Sequence, residues 1–278
     1  QTFEFKRNHY FCSMDITNKV IWVTGASSGI GEALVYELAK RNCKLILSAR
    51  REAELQRVKE NTNLPDEQIL ILPIDLEQFK NAQTWVDKVV EKFSTIDILI
   101  NNGGISQKSL AMETIEAVEQ KFWNINYFGN VALSKAVLPI MQQKKYGKVV
   151  VITSILGKFG LPQLSTYAAT KHALYGFYES LRLELVKDNV SVLLAAPGFI
   201  NTQVSVNAID GEGNITNENS DAQLNGMKPD IFAKNLVNAI VKDKQHVYIG
   251  KKELLTIPFK TLFPKLFYKI MLKLSNKK

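Results

Sequence analysis

The feature that most constrains the fold is a glycine-rich turn between a predicted buried strand and a predicted helix. The strand is expected at 19–24, the run Gly25-Ala-Ser-Ser-Gly29-Ile-Gly31 follows directly, and the helix extends from about residue 32 to 41. Gly25 permits a sharp turn, Gly29 lets the backbone approach a pyrophosphate, and Gly31 allows the helix to pack closely on the strand. The helix N-terminus would face that anion. A glycine turn without a ligand is the alternative interpretation.

Strands and helices alternate along the chain as far as about residue 250. Further strands are predicted at 44–48, 68–73, 96–100, 148–153, 190–195 and 247–249. Alternation of this kind requires right-handed crossovers and a parallel sheet that is covered on both faces. We therefore expect an α/β fold, a Rossmann-type doubly wound seven-stranded parallel sheet with helices on both faces. Ligands of such folds bind beyond the carboxyl ends of the strands.

The length of 278 residues, of which 46% are apolar, suits one α/β domain with a single substantial core. We expect an N-terminal lead-in over 1–18, a dinucleotide-binding catalytic domain over 19–250 and a basic amphipathic segment over 251–278. Cys12 and Cys43 have neither zinc-site nor disulfide spacing, so both are predicted to be free thiols, and no metal site is expected.

The positive charge of the chain is concentrated at its C-terminal end. Residues 251–278 hold eight lysines against the single Glu253, a balance of +7, so the formal charge of +8 leaves about +1 for residues 1–250. A nucleic-acid-binding face would be spread over a folded surface with interleaved aromatic residues, and no nucleic-acid partner is expected. The sequence contains no run of 18 apolar residues, so no transmembrane helix is predicted within it.

An alanine-rich run over 165–173 is predicted to be helical and holds a phenol and an ammonium one turn apart. Tyr167 and Lys171 stand at positions i and i+4, so their side chains project from the same helical face. A nearby cation lowers the pKa of a tyrosine from about 10 toward neutrality, where the phenol becomes a usable proton donor and acceptor. A packed tyrosine beside a solvated lysine is the common alternative.

The second predicted strand ends in Ala49-Arg50-Arg51, where an acidic residue would bond the ribose of an adenosine. A cation at this position favours a 2'-phosphate instead, and the forked donors of arginine suit phosphate. Arg50 therefore indicates NADP(H). The alternative is that both arginines are solvated residues at the start of the next helix. Asp75, after the third strand, can hold an adenine amino group or be an ordinary loop residue.

Several short motifs occur together and in order. They are Thr24-Gly-Ala-Ser-Ser-Gly-Ile-Gly31, Asn101-Asn-Gly-Gly104, Asn126, Ser154, Tyr167-x-x-x-Lys171 and Pro197-Gly198. In combination they resemble the short-chain dehydrogenase/reductase family over about residues 17–250. Asn-Asn-Gly-Gly-Ile-Ser-Gln and Ser205-Val-Asn-Ala208 are similar to the branch of dehydrogenase/reductase family member 7 and its B relative, which is akin to the 11β-hydroxysteroid dehydrogenases.

The resemblance implies a role for each matching residue. Tyr167 would be the general acid/base and Lys171 would lower its pKa and bond the nicotinamide ribose, while Ser154 would orient the substrate carbonyl and Asn126 would hold a proton-relay water. The residues expected to contact the cofactor, in addition to Tyr167 and Lys171, are Gly25, Ser27, Ser28, Gly29, Ile30, Arg50, Asp75, Leu76, Asn102, Gly103, Pro197, Gly198, Ile200 and Thr202. Of these, Thr202 would meet the nicotinamide carboxamide. Two positions depart from the family pattern. Gly104 replaces the usual alanine, which is expected to loosen the loop, and Ser28 stands where many NADP-preferring members have lysine or arginine.

The implied function is an NADP(H)-dependent oxidoreductase, a carbonyl reductase that interconverts carbonyl and hydroxyl groups on lipophilic, steroid-, retinoid- or lipid-like substrates. A homodimer is expected, as in much of the family. The alternative is a noncatalytic dinucleotide-sensing or scaffold protein on the same fold.

The segment 254–274 mixes bulky apolar residues with lysines. Lys265, Lys269 and Lys273 recur along one helical face, and the opposite face holds Leu266, Phe267, Ile270, Met271 and Leu274. Such a basic amphipathic helix can lie in a membrane interface, or it can pack on its own domain or on a partner subunit. Because Pro258 and Pro264 interrupt the segment, a spanning helix is not expected.

We expect monotopic or peripheral association with the endoplasmic reticulum membrane, with a cytoplasmic location as the fallback. The polar stretch 201–229 is predicted to be a mobile loop over the site. It carries a glycosylation sequon, Asn214-Ile215-Thr216.

Overall fold

The computed structural model describes residues 14–275, so most of the predicted lead-in, with Cys12, lies outside the described residues. This part of the chain contains one seven-stranded sheet of order β3-β2-β1-β4-β5-β6-β7, in which every neighbouring pair is parallel. The strands are β1 (Val20–Thr24), β2 (Lys44–Ser48), β3 (Ile69–Ile71), β4 (Ile98–Asn101), β5 (Gly147–Ile152), β6 (Val190–Pro197) and β7 (His246–Ile249). The strand order reverses between β1 and β4, which is where doubly wound sheets bind ligands. The predicted fold class is confirmed.

Helices cover both faces of this sheet. They are α1 (Gly29–Ala39), α2 (Glu52–Glu60), α3 (Ala82–Phe93), α4 (Glu116–Phe122), α5 (Asn130–Lys144), α6 (Ser165–Glu184), α7 (Asp221–Leu224), α8 (Pro229–Val241), α9 (Thr256–Leu262) and α10 (Pro264–Ser275). Alternate residues of β1 face opposite sides, because Trp22 joins the core beneath α3, α5 and α6 whereas Ile21 and Val23 join the core beneath α1, α2 and α8. Cys43 is a buried free thiol in the second of these cores.

The predicted helix-rich stretch 113–141 is interrupted where α4 meets α5. A π-helical segment, Trp123–Gly129, joins the two helices and places the fully buried Asn126 in its middle. Asn130 donates its amide to the Asn126 carbonyl at 2.9 Å and to the Ile125 carbonyl at 3.2 Å. Side-chain amides thus replace regular helical hydrogen bonds here, as is common where a π-bulge serves a functional site.

The polar stretch 201–229 is more structured than the predicted mobile loop. Isolated bridges join Ile209 to Gln107 and to Ile215, and a third joins Ile200 to Met227. Ile209 is buried against Val118 and Phe122. The few apolar side chains in a polar sequence therefore attach this stretch to the domain.

The C-terminal segment forms two helices that each begin near a proline, where the missing N–H costs no helical hydrogen bond. Phe267 of α10 is fully buried and packs on Phe159, with ring centroids 5.3 Å apart. Leu254, Ile257, Phe259 and Met271 are partly buried in the same cluster. The other large apolar side chains of this region are exposed: Leu255, Leu262, Phe263, Leu266, Tyr268, Ile270 and Leu272. The side chain of Leu274 lies outside the described residues. Within 14–275, no helix combines the length and apolar character that spanning a membrane requires.

Candidate active site

Most of the predicted site residues come from loops at the carboxyl ends of four neighbouring strands, whereas Arg50 follows β2, and Asp75 and Leu76 follow β3. The glycine turn follows β1, residues 102–104 follow β4, Ser154 follows β5, and residues 198–202 follow β6. Since these strands are adjacent and parallel, their loops lie along the same edge of the sheet. Helix α6 adds Tyr167 and Lys171 from its first two turns.

The Ser154 side chain lies close enough to the Tyr167 phenol to favour the phenolate by hydrogen bonding. The Ser154 hydroxyl also accepts the Leu156 N–H at 3.1 Å, which caps a short 3₁₀ turn and fixes the side chain. Burial raises the pKa of the Tyr167 phenol, and the hydrogen bond with Ser154 opposes that rise. The net effect is a phenol that holds its proton at neutral pH.

Lys171 is almost completely buried on the same helix. Its ammonium donates to the Ile152 carbonyl at 3.1 Å and lies 5.7 Å from the centroid of the Tyr167 ring. Burial lowers the pKa of Lys171 to about 8. The pKa of Tyr167 is raised rather than lowered in this geometry, because burial of the phenol dominates and the Lys171 ammonium is directed to a carbonyl.

Asn126 holds the loop after β4 rather than projecting freely into the site. Its Oδ1 accepts the Ile105 N–H at 2.8 Å and its Nδ2 donates to the Ile105 carbonyl at 3.0 Å. A Cβ on Gly104 would lie 2.9 Å from Asn126 Oδ1 and 3.8 Å from Lys171 Nζ. Gly104 therefore permits a close approach of the loop to the Asn126 amide.

The glycine turn has the backbone geometry that the sequence predicts. Gly25 and Gly29 have φ of +65° and +58°, in the left-handed region that favours glycine. Helix α1 begins at Gly29, so the N–H groups of its first turn, which includes Ile30, have no helical partners. Across the cleft a Cβ on Gly29 would lie 3.1 Å from Cγ2 of Thr202. A turn with glycine at its two left-handed positions, at a helix N-terminus, fits the phosphates of a dinucleotide.

The outer cleft has charged groups on one wall and polar groups on the other. Ser28, Gly29, Glu32, Arg51, Glu54 and Arg57 line one wall, and Asn201, Thr202, Gln203 and Asn207 line the opposite one. Arg50 and Arg51 are exposed and form no ion pair with the described residues. Those two guanidinium groups could meet a phosphate.

Arg57 is a further cation of this wall, and its position could not be predicted from the sequence. Its guanidinium pairs with Glu32 at 2.7 Å and with Glu54 at 2.9 Å, and it donates to the Ser27 carbonyl at 3.3 Å. Two carboxylates therefore already neutralise the charge of Arg57, whereas Arg50 has no ion pair with the described residues. No local pattern marks Arg57, since α2 alone does not show that it reaches the glycine turn.

Four predicted contact residues brace the turn and its neighbouring loops. Asn102 donates its amide to the Thr24 and Gly25 carbonyls at 2.9 and 3.3 Å. Asp75 accepts the Glu77 N–H at 3.0 Å and so caps the following 3₁₀ turn. Leu76 is buried and packs on Gly103, because a Cβ on Gly103 would lie only 2.6 Å from Cδ1 of Leu76.

Two further residues belong to the family-like motifs, although the resemblance implies no role for either of them. Thr24 Oγ1 accepts the N–H groups of Asn102 and Gly103 at 3.0 and 2.9 Å and thereby joins the loops after β1 and β4. Gln107 is buried, and its Oε1 accepts the Tyr167 N–H at 3.0 Å in the first turn of α6. Gln107 therefore holds the end of the helix that carries the phenol.

The loop after β6 is held from both sides. Gly198 donates its N–H to the Ile249 carbonyl at 2.9 Å, which extends the pairing that Pro197 makes with β7. Ile200 is buried, and the N–H of Asn201 donates to the Met227 carbonyl at 2.8 Å. Thr202 is thus placed opposite Gly29.

Comparison with known proteins agrees with this arrangement. Residues 19–213 match the family described as short chain dehydrogenase. The dehydrogenase/reductase SDR family protein 7-like of Anopheles gambiae is 41% identical over 240 residues, which cover 84% of this chain and 76% of that protein. Dehydrogenase/reductase SDR family member 7B of Mus musculus is 33% identical over 267 residues, 94% of this chain and 83% of that protein. A short chain dehydrogenase/reductase from Burkholderia phymatum, solved in complex with NAD, has a TM-score of 0.81 at 21% identity, covering 91% of this chain and 96% of its own.

Proposed function

This chain belongs to the short-chain dehydrogenase/reductase family, in the branch of dehydrogenase/reductase members 7 and 7B, and we propose that it is an NADP(H)-dependent carbonyl reductase. The observation that carries the proposal is the proximity of the Ser154 side chain to the Tyr167 phenol, beside the buried ammonium of Lys171. NADP(H) supplies or accepts the hydride when it is bound.

The residues of the chain account for the proton and for the developing charge. When a carbonyl carbon gains hydride, its oxygen becomes an alkoxide and needs a proton. The Tyr167 phenol donates that proton, and the Ser154 hydroxyl donates a hydrogen bond to the same oxygen. Because burial raises the pKa of Tyr167, the phenol is protonated at neutral pH and suited to reduction. The Lys171 ammonium, 5.7 Å from the ring centroid, favours the phenolate that remains.

Tyr167 packs against apolar side chains, which supports a lipophilic substrate of the steroid, retinoid or lipid class. Tyr167 packs on one cluster that includes Phe267 and Ile257 of the C-terminal helices. It also packs on a second cluster that includes Ile209 of the polar stretch. A substrate held beside Tyr167 would therefore meet mainly hydrocarbon surfaces.

The central test is Tyr167→Phe, measured as substrate-dependent loss of NADPH absorbance with a panel of retinals, steroids and quinones. Turnover should fall by a factor of 100 or more, roughly the contribution of a general acid, while NADPH binding is retained. Tyr175→Phe is the matched control, since that hydroxyl lies on the same helix and bonds Thr153 at 3.2 Å. Unchanged turnover in Tyr167→Phe would refute the assignment. NADPH binding without turnover by the wild type would support the noncatalytic alternative.

The preference for NADP(H) rests on Arg50, which is exposed at the end of β2 and without an ion pair in the described part of the chain. Arg50→Asp should weaken NADPH binding by roughly tenfold to a hundredfold, because a hydrogen bond to a charged group contributes about 1.5–3 kcal/mol. Binding of NADH should change much less. Fluorescence titration with both cofactors measures the ratio, and an equal loss for both would contradict the assignment.

The exposed apolar side chains of α9 and α10 support docking on an anionic membrane. Leu262 and Leu266 are 69% and 48% exposed, and Lys265 and Lys269 are exposed beside them. Such a surface suits the interface between lipid headgroups and acyl chains. The double variant Leu262→Asp/Leu266→Asp should release the protein from anionic liposomes in co-sedimentation. Leu183→Asp, an equally polar change at a leucine of α6 that is 74% exposed, should not. Retention of the double variant would remove the proposal.

A location on the lumenal side of the endoplasmic reticulum is supported by Asn214. This asparagine is exposed in a turn that the Ile209–Ile215 bridge closes, where a glycan would have room. In microsomes we expect an endoglycosidase-sensitive mass that Asn214→Gln abolishes. Absence of any glycan would favour the cytoplasmic fallback.

The chain offers a matched control in a second sequon, Asn189-Val190-Ser191. The Asn189 amide donates to the Lys145 carbonyl at 3.0 Å, and the Ser191 hydroxyl accepts from the buried Lys148 at 2.9 Å. Because these side chains are committed to the fold, Asn189→Gln should leave the glycosylated mass unchanged.

A further inference from the structure

The carboxylate of Glu253 lies between the ends of β6 and β7, in a gap that two glycines leave open. Its Oε1 accepts the N–H of Phe199 at 3.0 Å and that of Lys251 at 2.9 Å. A Cβ on Gly198 would lie 2.0 Å from Oε1, and a Cβ on Gly250 would lie 2.6 Å from it. The carboxylate thus fills space that a side chain at either glycine would occupy.

Phe199 belongs to the loop that runs from β6 to Thr202. The Phe199 carbonyl accepts the Met227 N–H at 2.8 Å, whereas its N–H is directed to Glu253. One side of this loop is therefore held by the polar stretch and the other by the C-terminal segment. Thr202, three residues further along, faces Gly29 across the cleft.

Glu253 also stands at the start of the C-terminal segment, in the 3₁₀ turn Lys252–Leu255. The preceding Lys251 donates its ammonium to the Asn225 and Gly226 carbonyls at 2.9 and 3.0 Å. The following Leu254 joins the apolar cluster beside Tyr167. Residues 251–254 therefore contact the loop after β6, the polar stretch 201–229 and the apolar cluster beside Tyr167.

Hydrogen bonding rather than charge pairing explains the place of this carboxylate. Both bonds to Oε1 come from backbone N–H groups, and Glu253 forms no ion pair among residues 14–275. A neutral amide oxygen at the same place could accept both of them. The role therefore depends on an acceptor atom at this point and not on the negative charge.

We propose that Glu253 is a positioning residue for hydride transfer, which holds the loop 198–202 where the nicotinamide end of the cofactor binds. The inference rests on the proposed function, because the family resemblance assigns this loop to the nicotinamide carboxamide. Through Glu253, the position of the C-terminal segment would affect the position of the loop that holds the nicotinamide. Loss of the acceptor leaves the Phe199 N–H without its partner and frees the loop on one side.

The test compares two ligands on the full chain: NADPH, and 2'-phospho-ADP-ribose, which lacks the nicotinamide. Glu253→Ala should weaken NADPH binding about tenfold and lower kcat, while affinity for 2'-phospho-ADP-ribose stays unchanged. Glu253→Gln should restore wild-type values. Leu255→Ala is the matched control, because this leucine of the same turn is 69% exposed.

Equal weakening of both ligands in Glu253→Ala would overturn the proposal, since it would indicate a general structural role. Unchanged NADPH binding and kcat would overturn it as well. If Glu253→Ala does not fold, Gly250→Ala tests the same point. A Cβ at residue 250 would lie 2.6 Å from Glu253 Oε1, so this carboxylate oxygen must move away from the Phe199 N–H. The variant should therefore show the same NADPH-specific loss. Failure of the proposed function would appear already in the wild type, as absence of NADPH binding or turnover, whereas failure of this inference appears only in the variants.

Discussion

Lys171 combines a reaction role with a cost to stability, and its replacement by methionine separates the two. The side chain is 5% exposed, and its ammonium has one hydrogen bond, to the Ile152 carbonyl at 3.1 Å. Burial lowers the pKa of Lys171 from 10.5 to about 8. Since each tenfold change in proton affinity corresponds to about 1.4 kcal/mol, keeping this ammonium in the fold costs roughly 3 kcal/mol at neutral pH.

Lys171→Met keeps most of the apolar stem and removes the charge. The lost hydrogen bond to Ile152 offsets about 1 kcal/mol of the gain. We therefore expect a variant without turnover whose free energy of unfolding at neutral pH exceeds that of the wild type by about 2 kcal/mol.

The pH dependence of this difference identifies its cause. Below pH 8 Lys171 is protonated in both the folded and the unfolded chain, so the advantage of the variant is constant. Between about 8 and 10.5 the folded wild type releases a proton that the unfolded chain keeps, so its stability rises with pH relative to the variant. The electrostatic advantage of the variant should be lost near pH 10.5.

Urea unfolding of both proteins at neutral pH and at about pH 9 and 10 measures the difference. Lys148→Met is the control, because Lys148 is equally buried but pairs with the Asp243 carboxylate and bonds Ser191. Breaking that pair should destabilise the fold. A Lys171→Met variant that is less stable than the wild type at neutral pH, or a difference that does not change with pH, would refute the reasoning.

Three further substitutions test the site and its support. Gly104→Ala places a Cβ 2.9 Å from Asn126 Oδ1 and should lower kcat roughly tenfold in initial-rate measurements, with dinucleotide affinity retained. Gln107→Leu removes the acceptor of the Tyr167 N–H and should cost about 1–2 kcal/mol in urea unfolding, together with lower kcat. Phe267→Ala should destabilise α10 by about 3–5 kcal/mol, visible as new proteolytic cleavage within 256–275.

Local chemistry was sufficient to predict the frame of this protein. The predicted strand 44–48 coincides with β2, and the predicted start of the helix that carries Tyr167 coincides with Ser165. Apolar runs, helical spacing and the glycine turn are properties of neighbouring residues. The α/β alternation then leaves little choice of topology, because parallel strands require right-handed crossovers.

Contacts between distant residues could not be predicted in the same way. Asn126 meets Ile105 across 21 positions, Arg57 meets Ser27 across 30, Glu253 meets Phe199 across 54, and Gln107 meets Tyr167 across 60. None of these pairs has a signature in its own surroundings, since each depends on loops that the sheet brings to one edge.

The sequence by itself determined the order of the elements, the glycine turn and the projection of Tyr167 and Lys171 from one helical face. Only the tertiary structure decided how those two groups titrate, because burial and the Ile152 carbonyl outweigh their helical proximity. It also decided that Gly104 is a point of close packing. Spacing along a helix specifies the direction in which side chains project. Their desolvation and contacts depend on which other segments of the chain fold against them.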